Sequence, residues 1–185
     1  SRVENDNKWI VVYMQDDGPY KYYLYDRATR EIKFLFVSNS KQESYSFAKM
    51  HPVQITSRDG LELVSYLTLP RWLDKGARLE KPIPLVLYVH GGPNSRDNKG
   101  YNATHQWLAN RGYAVLSVNY RGSTGFGKSF INAGDGQWAR KMQDDLEDAV
   151  KWAIDNNIAE KDKIVIMGGS YGGYATLVGM SMTPE

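Results

Sequence analysis

The 185-residue sequence contains no cysteine. That excludes disulfides, thiolate metal sites and cysteine nucleophiles together, and it fits a reducing compartment such as the cytoplasm. An excess of one charge is also missing. Lys and Arg number 23 against 21 Asp and Glu, and no basic stripe stands out, so nucleic acid is not an expected partner. No apolar run approaches the roughly 18 residues that a membrane-spanning helix needs. The first residues, Ser1 to Asp6, hold no apolar signal core and no initiator Met, so no targeting segment is visible, although a sequence that starts this way can be a cut piece. No cofactor and no metal is expected.

What is present changes character along the chain. Trp9–Met14, Tyr20–Tyr25 and Ile32–Val37 are rich in β-branched and aromatic residues, and the turn signals Asp16-Asp17-Gly18-Pro19 and Asp26-Arg27-Ala28-Thr29 separate them. Residues 1–50 therefore read as an antiparallel meander, too short to be stable without neighbouring strands and of the size of part of a propeller blade. His51-Pro52 marks a boundary. A hairpin follows, Val53–Thr56 with Leu61–Leu69 around Arg58-Asp59-Gly60. After the charged loop from Pro70 to Pro84 the pattern becomes strand and helix in alternation. Leu85–Val89, Tyr113–Tyr120 and Ile164–Met167 read as apolar strands, with Ile164–Met167 expected to be buried. Helices are expected near Asn102–Asn110, stopped by Gly112, and over Gln137–Asn156, where Trp138, Met142, Leu146, Ala149, Val150, Ala153 and Ile154 form a stripe. Residues 51–185 thus predict an α/β fold with a mostly parallel sheet and flanking helices.

Ligands of such sheets bind at the carboxyl ends of the strands. The glycine clusters fall there, at 91–92, 122–127 and 168–173. The last follows Ile164–Met167 as Gly168-Gly169-Ser170-Tyr171-Gly172, and the apolar pattern from Tyr174 to Met182 is helical. Strand, Gly-x-Ser-x-Gly and helix in that order make a nucleophile elbow, which lifts a serine hydroxyl above the sheet. Ser170 is the candidate nucleophile. A Cβ at 168, 172 or 173 is expected to crowd the strand or helix passing beside it. Attack of a hydroxyl on an acyl carbon builds negative charge on the carbonyl oxygen, which preorganised N–H donors must meet. In α/β-hydrolases one donor is the amide after the nucleophile, here Tyr171, and the other comes from a glycine-rich loop after an earlier strand. His90-Gly91-Gly92-Pro93 after Leu85–Val89 supplies that loop. The His90 side chain either aids the oxyanion site or caps its strand, whereas His51 and His105 are expected to be structural.

A competing motif is Gly122-Ser123-Thr124-Gly125-Phe126-Gly127-Lys128-Ser129, which has the Gly-x-x-x-x-Gly-Lys-Ser spacing of a phosphate-cradling loop. Gly134 and Gly136 interrupt the helix such a loop needs, and Ile164–Met167 ends in Gly-Gly-Ser rather than in an acid that could hold magnesium. A glycine-rich turn beside the acyl site is the better reading.

Taken together, His90-Gly91-Gly92-Pro93, Asn119-Tyr120-Arg121-Gly122-Ser123-Thr124-Gly125-Phe126-Gly127 and Gly168-Gly169-Ser170-Tyr171-Gly172-Gly173-Tyr174 resemble the prolyl oligopeptidase family of serine peptidases, most closely its acylaminoacyl-peptidase-like members. The resemblance runs from about Val53 to Glu185. It implies a partial α/β-hydrolase domain over residues 51–185, preceded at 1–50 by the last strands of a β-propeller. It also implies cleavage of short peptides or N-acyl peptides through an acyl-enzyme at Ser170, with Gly91 and Tyr171 as oxyanion donors and His90 where some members carry an oxyanion tyrosine. A carboxylesterase on the same fold is the nearest alternative. The family's order is nucleophile, acid, histidine. After Ser170 the sequence has no histidine, and its one acid is Glu185. The chain by itself is therefore expected to be inactive, and to need the rest of the hydrolase domain as a complementary piece or else to self-associate along an unpaired sheet edge.

Overall fold

Two β-sheets organise the computed structural model, which describes residues 1–182. The first is a three-stranded antiparallel meander of β1 (Lys8–Tyr13), β2 (Lys21–Asp26) and β3 (Glu31–Val37). Cross-strand aromatic pairs hold it, with Tyr22 stacked on Phe36 at 4.6 Å and Tyr23 edge-on to both Tyr13 and Phe34.

The second sheet has five strands: β4 (Met50–Thr56), β5 (Glu62–Thr68), β6 (Ile83–Val89), β7 (Ala114–Val118) and β8 (Ala159–Gly168), in the order β4-β5-β7-β6-β8. β7, β6 and β8 run parallel, as the apolar runs predict, and the hairpin β4–β5 joins them antiparallel to β7. β4 begins earlier than expected and includes His51 and Pro52. It is an edge strand, where a residue without an N–H does not interrupt a ladder.

Helices α1 (Ala103–Ala109), α2 (Lys128–Asn132), α3 (Lys141–Asp155) and α4 (Tyr171–Met182) complete the fold. Asn102 caps α1 by accepting from the amides of Thr104 and His105. Alternate residues of β6 and β7 face opposite layers: Leu85, Leu87, Leu116 and Val118 join Met142, Leu146 and Ala149 of α3, whereas Val86 and Val115 meet Leu108 of α1. His105 is buried as a structural residue, its two ring nitrogens in contact with Thr68 Oγ1 (2.9 Å) and Ser117 Oγ (2.8 Å). His51 pairs with Asp74 at 2.6 Å.

Two expectations need correction. α3 starts at Lys141 rather than Gln137, because Ala139 lies at φ +54° and Arg140 is also outside the helical region, so Trp138 sits in a turn outside the helix. Ile164–Met167 is not a buried strand. Among the described residues β8 is the last strand of the sheet and Val165 is 54% exposed, so apolar composition marks membership of the sheet there without showing which strand lies beside it.

Candidate active site

The elbow forms where β8 ends and α4 begins. Ser170 is exposed and adopts φ +54°, a left-handed conformation that is strained for a residue with a Cβ and that turns the side chain out of both elements. The glycines around it have unequal reasons. A Cβ on Gly168 or Gly172 would run into the carbonyl oxygen of Val89 on β6, and one on Gly168 would also meet Gly172 Cα at 2.8 Å. Gly173, in contrast, leaves room: its Cβ would approach nothing nearer than Gly168 O at 3.4 Å, an ordinary contact. The expectation of crowding holds for two of the three positions.

The loop after β6 reaches Ser170. A Cβ on Gly91 would lie 3.2 Å from Ser170 Cβ and 3.1 Å from Gly169 O, so a side chain there would make the elbow give by a few tenths of an ångström. Among the described residues, no hydrogen bond engages the amide N–H of Gly91, Gly92 or Tyr171. These are unspent donors beside a serine hydroxyl, an arrangement able to receive an oxyanion. Gly92, at φ +124°, is a candidate donor beyond the two expected from sequence.

His90 points elsewhere. Its Nδ1 lies 2.8 Å from Gly91 O, and because a carbonyl only accepts, the ring carries its proton on Nδ1. Nε2 lies 3.0 Å from Ser123 Oγ, whose single proton also faces Tyr120 O at 2.6 Å. Burial pushes the imidazole pKa down, against a smaller upward pull from the Gly91 carbonyl, so the neutral ring is favoured. Among the described residues Ser170 Oγ has no hydrogen-bond partner; Glu185, the one acid after it, lies outside them.

The loop after β7 is tied to the loop after β6. Thr124 N donates to Ser95 O at 2.8 Å and Asn94 Nδ2 to Gly122 O at 2.9 Å. Gly122 N is used by Phe130 O and Ser123 N by Tyr120 O, each at 3.0 Å. The amides at 122–124 are thus engaged within the fold, and α2 behind them is only five residues long, too short to offer the helix N-terminus that a phosphate-cradling loop needs. The nucleotide reading finds no site here.

Three sets of contacts carry no local sequence signal. Tyr120 is fully buried, with its ring stacked on His90 (4.5 Å, 17°) and 5.2 Å from that of Tyr171. Half-exposed Trp138 lies on Tyr171 and Tyr174, at 4.9 and 5.2 Å. Arg121, 4% exposed, donates from its backbone N, Nε and Nη2 to Asp145 at 2.7–2.9 Å and from Nη1 and Nη2 to Asp59. Arg121, with Ser57 and Lys141, holds the Asp59 carboxyl well below the usual carboxylate range.

Comparison with known proteins agrees with this geometry. The model of the prolyl oligopeptidase family matches residues 99–185. The chain is 54% identical to dipeptidyl aminopeptidase BIII of Pseudoxanthomonas mexicana, over 100% of this chain and 27% of that protein. Among solved structures, a Mycobacterium tuberculosis puromycin-hydrolyzing peptidase superposes with a TM-score of 0.81 at 24% identity, covering 96% of this chain and 27% of that one. A Pyrococcus horikoshii acylaminoacyl peptidase gives 0.79 at 24% identity, over 96% and 28%. The chain spans about a quarter of the length of the relatives it matches. The fold is that of these peptidases: part of an α/β-hydrolase sheet, preceded by a short antiparallel propeller segment.

Proposed function

Since the chain belongs to the prolyl oligopeptidase family, we propose that it carries the nucleophile half of a serine peptidase that cleaves short peptides. Ser170 Oγ attacks the scissile carbonyl carbon, and the oxyanion that forms is met by the Tyr171 amide and a glycine amide of the 91–92 loop. Collapse of the tetrahedral species expels the amine and leaves an ester on Ser170, which water then hydrolyses. The general base and its orienting carboxylate come from residues beyond this sequence, since no imidazole among the described residues touches Ser170. The observation that carries the reading is Ser170 at φ +54° with Gly91 packed against it and unspent amides on both sides.

The 54% identity to a protein named dipeptidyl aminopeptidase supports release of dipeptides from a free N-terminus over release of N-acyl amino acids. We read residues 1–50 as closing strands of a propeller and residues 51–185 as the first part of the hydrolase domain. Ile32, Phe34 and Phe36 lie exposed on β3, where a neighbouring blade would cover them. The rest of the hydrolase domain would fill a groove of about 820 Å³ beside β8, lined by Leu146, Val150, Ile154, Ile164, Ile166 and Met180. The absence of cysteine supports a cytoplasmic, reducing location.

The test compares a dipeptidyl anilide, an N-acetylaminoacyl anilide and a nitrophenyl ester on the full-length protein and on Ser170→Ala. Turnover of the first substrate, lost in the variant, is expected. Turnover of the ester alone would replace the reading with an esterase. The isolated 185-residue chain should not react with a fluorophosphonate, and robust labelling of it at Ser170 would show that a base is supplied from within.

A further inference from the structure

The oxyanion loop holds two consecutive peptide groups whose carbonyls are both tied down. The carbonyl of His90 accepts from Tyr120 Oη at 2.9 Å. The carbonyl of Gly91 accepts from His90 Nδ1 at 2.8 Å. Neither bond between these three residues is among the cis peptides. In a planar trans peptide the N–H points opposite to the C=O, so fixing one oxygen sets the direction of the hydrogen across the same plane. The His90 carbonyl shares its plane with the Gly91 N–H, and the Gly91 carbonyl shares its plane with the Gly92 N–H. Whichever amide meets the oxyanion, its direction is set by one of these two bonds.

The two donors are themselves a unit. The Tyr120 ring is stacked on the His90 imidazole, and the same ring touches Tyr171, whose amide is the opposite donor. Tyr120 therefore contacts both sides of the hole. Its backbone is held by Ser123, which donates through N and Oγ to Tyr120 O at 3.0 and 2.6 Å. The next residue is fixed by the buried Arg121–Asp145 pair on α3 and by Asp59 in the β4–β5 turn. Burial pushes the Tyr120 phenol pKa far up, so it remains a donor at every working pH.

We propose that Tyr120 and His90 are a positioning pair that aims the backbone amides of Gly91 and Gly92 at the oxyanion, with Tyr120 coupling that loop to the elbow. This rests on Ser170 being the nucleophile. Neither side chain touches the reacting atoms; each acts through a peptide group. A donor that is misaimed rather than removed loses part of the two to three orders of magnitude a missing one costs.

The experiment uses the full-length protein and Tyr120→Phe, which keeps the ring and deletes one hydroxyl. kcat is expected to fall roughly 10- to 100-fold with KM little changed, because the ground-state carbonyl does not need the amide's full alignment. Affinity for a peptide boronic acid, which forms a tetrahedral adduct on the serine, should fall by a similar factor. Thr68→Val, which removes a buried hydroxyl from His105 instead, should leave both unchanged. His90→Phe, which keeps a stacked ring but has no Nδ1–H, should reproduce the kcat loss and decides the matter if Tyr120→Phe does not fold. Unchanged kcat in the folded variant, a loss confined to KM, or an equal loss in Thr68→Val would overturn the proposal. A wild-type protein that neither turns over peptide nor labels at Ser170 would instead remove the nucleophile reading beneath it.

Discussion

The two flanks of the five-stranded sheet are finished to very different degrees. On the β4–β5 side, Arg58 spans Asp144, Glu147 and Asp148 of α3, and Arg121 is sealed between Asp145 and Asp59. On the β8 side, Val165 is half-exposed on an open edge, and Leu177, Met180 and Met182 of α4 face outward. The loops around Ser170 lie across the strand ends between the two flanks. Their order is drawn from the closed flank, through Arg121 and Tyr120, while Ser170 itself springs from the open one. On the proposed reading, the oxyanion side would then take its order from contacts that all lie within residues 59–171.

The largest effect that would break this contrast is at the elbow. Gly172→Ala forces the Val89 carbonyl away, and a displacement of about 1 Å at a nucleophile costs on the order of 100-fold in turnover. Gly173→Ala should change stability by no more than about 1 kcal/mol and leave turnover near wild type. Equal losses would show that the crowding at Val89 is not what fixes the elbow.

Next comes the closed flank. Asp145→Asn leaves the Arg121 guanidinium short of its buried counter-charge, and denaturant unfolding should show a loss of about 3–5 kcal/mol. A loss below 1 kcal/mol would mean that Asp59 alone suffices.

A smaller effect is pH-dependent. Burial pushes Asp97, whose Oδ2 has no partner, up to about 6, and pushes His105 down to about 4. As pH rises from about 4 to 6 the unfolded chain releases the Asp97 proton while the folded chain keeps it, so stability falls with pH. Across 4 to 6.5 the unfolded chain binds a proton that His105 in the fold refuses, so stability rises with pH. The two largely offset each other. Asp97→Asn removes the falling component, so its stability relative to wild type should climb by roughly 2–3 kcal/mol between pH 4 and 7. A flat difference would show that Asp97 is not held protonated.

The smallest effect on stability belongs to the open flank. Val165→Lys or Leu177→Lys should shift the fold by no more than about 0.5 kcal/mol, yet reduce association of the isolated 185-residue chain in sedimentation velocity. A wild-type chain that is already a stable monomer would contradict the view that this flank requires a partner.

The site was more legible in sequence than its supports. Glycine clusters after three apolar strands marked the edge where the loops around Ser170 converge, because close backbone approach leaves a local residue requirement, as at Gly91 and Gly172. Trp138 fell in step with the α3 stripe, and periodicity could not reveal the φ +54° turn at Ala139 that ejects it. Ile164–Met167 had the composition of a central strand, which says nothing about whether a neighbour is present. The Arg121–Asp145 pair spans 24 residues and leaves no local signature. Tyr120 stood in sequence as the end of an apolar strand and within the Asn119–Gly127 motif, but neither indicates that its hydroxyl meets the His90 carbonyl.

The central claim is that Ser170 is the nucleophile, and the most direct measurement is fluorophosphonate labelling of the full-length protein with peptide mapping. The account predicts one adduct, on Ser170, absent from Ser170→Ala together with peptide turnover. An adduct on another residue, or turnover that survives Ser170→Ala, would contradict it.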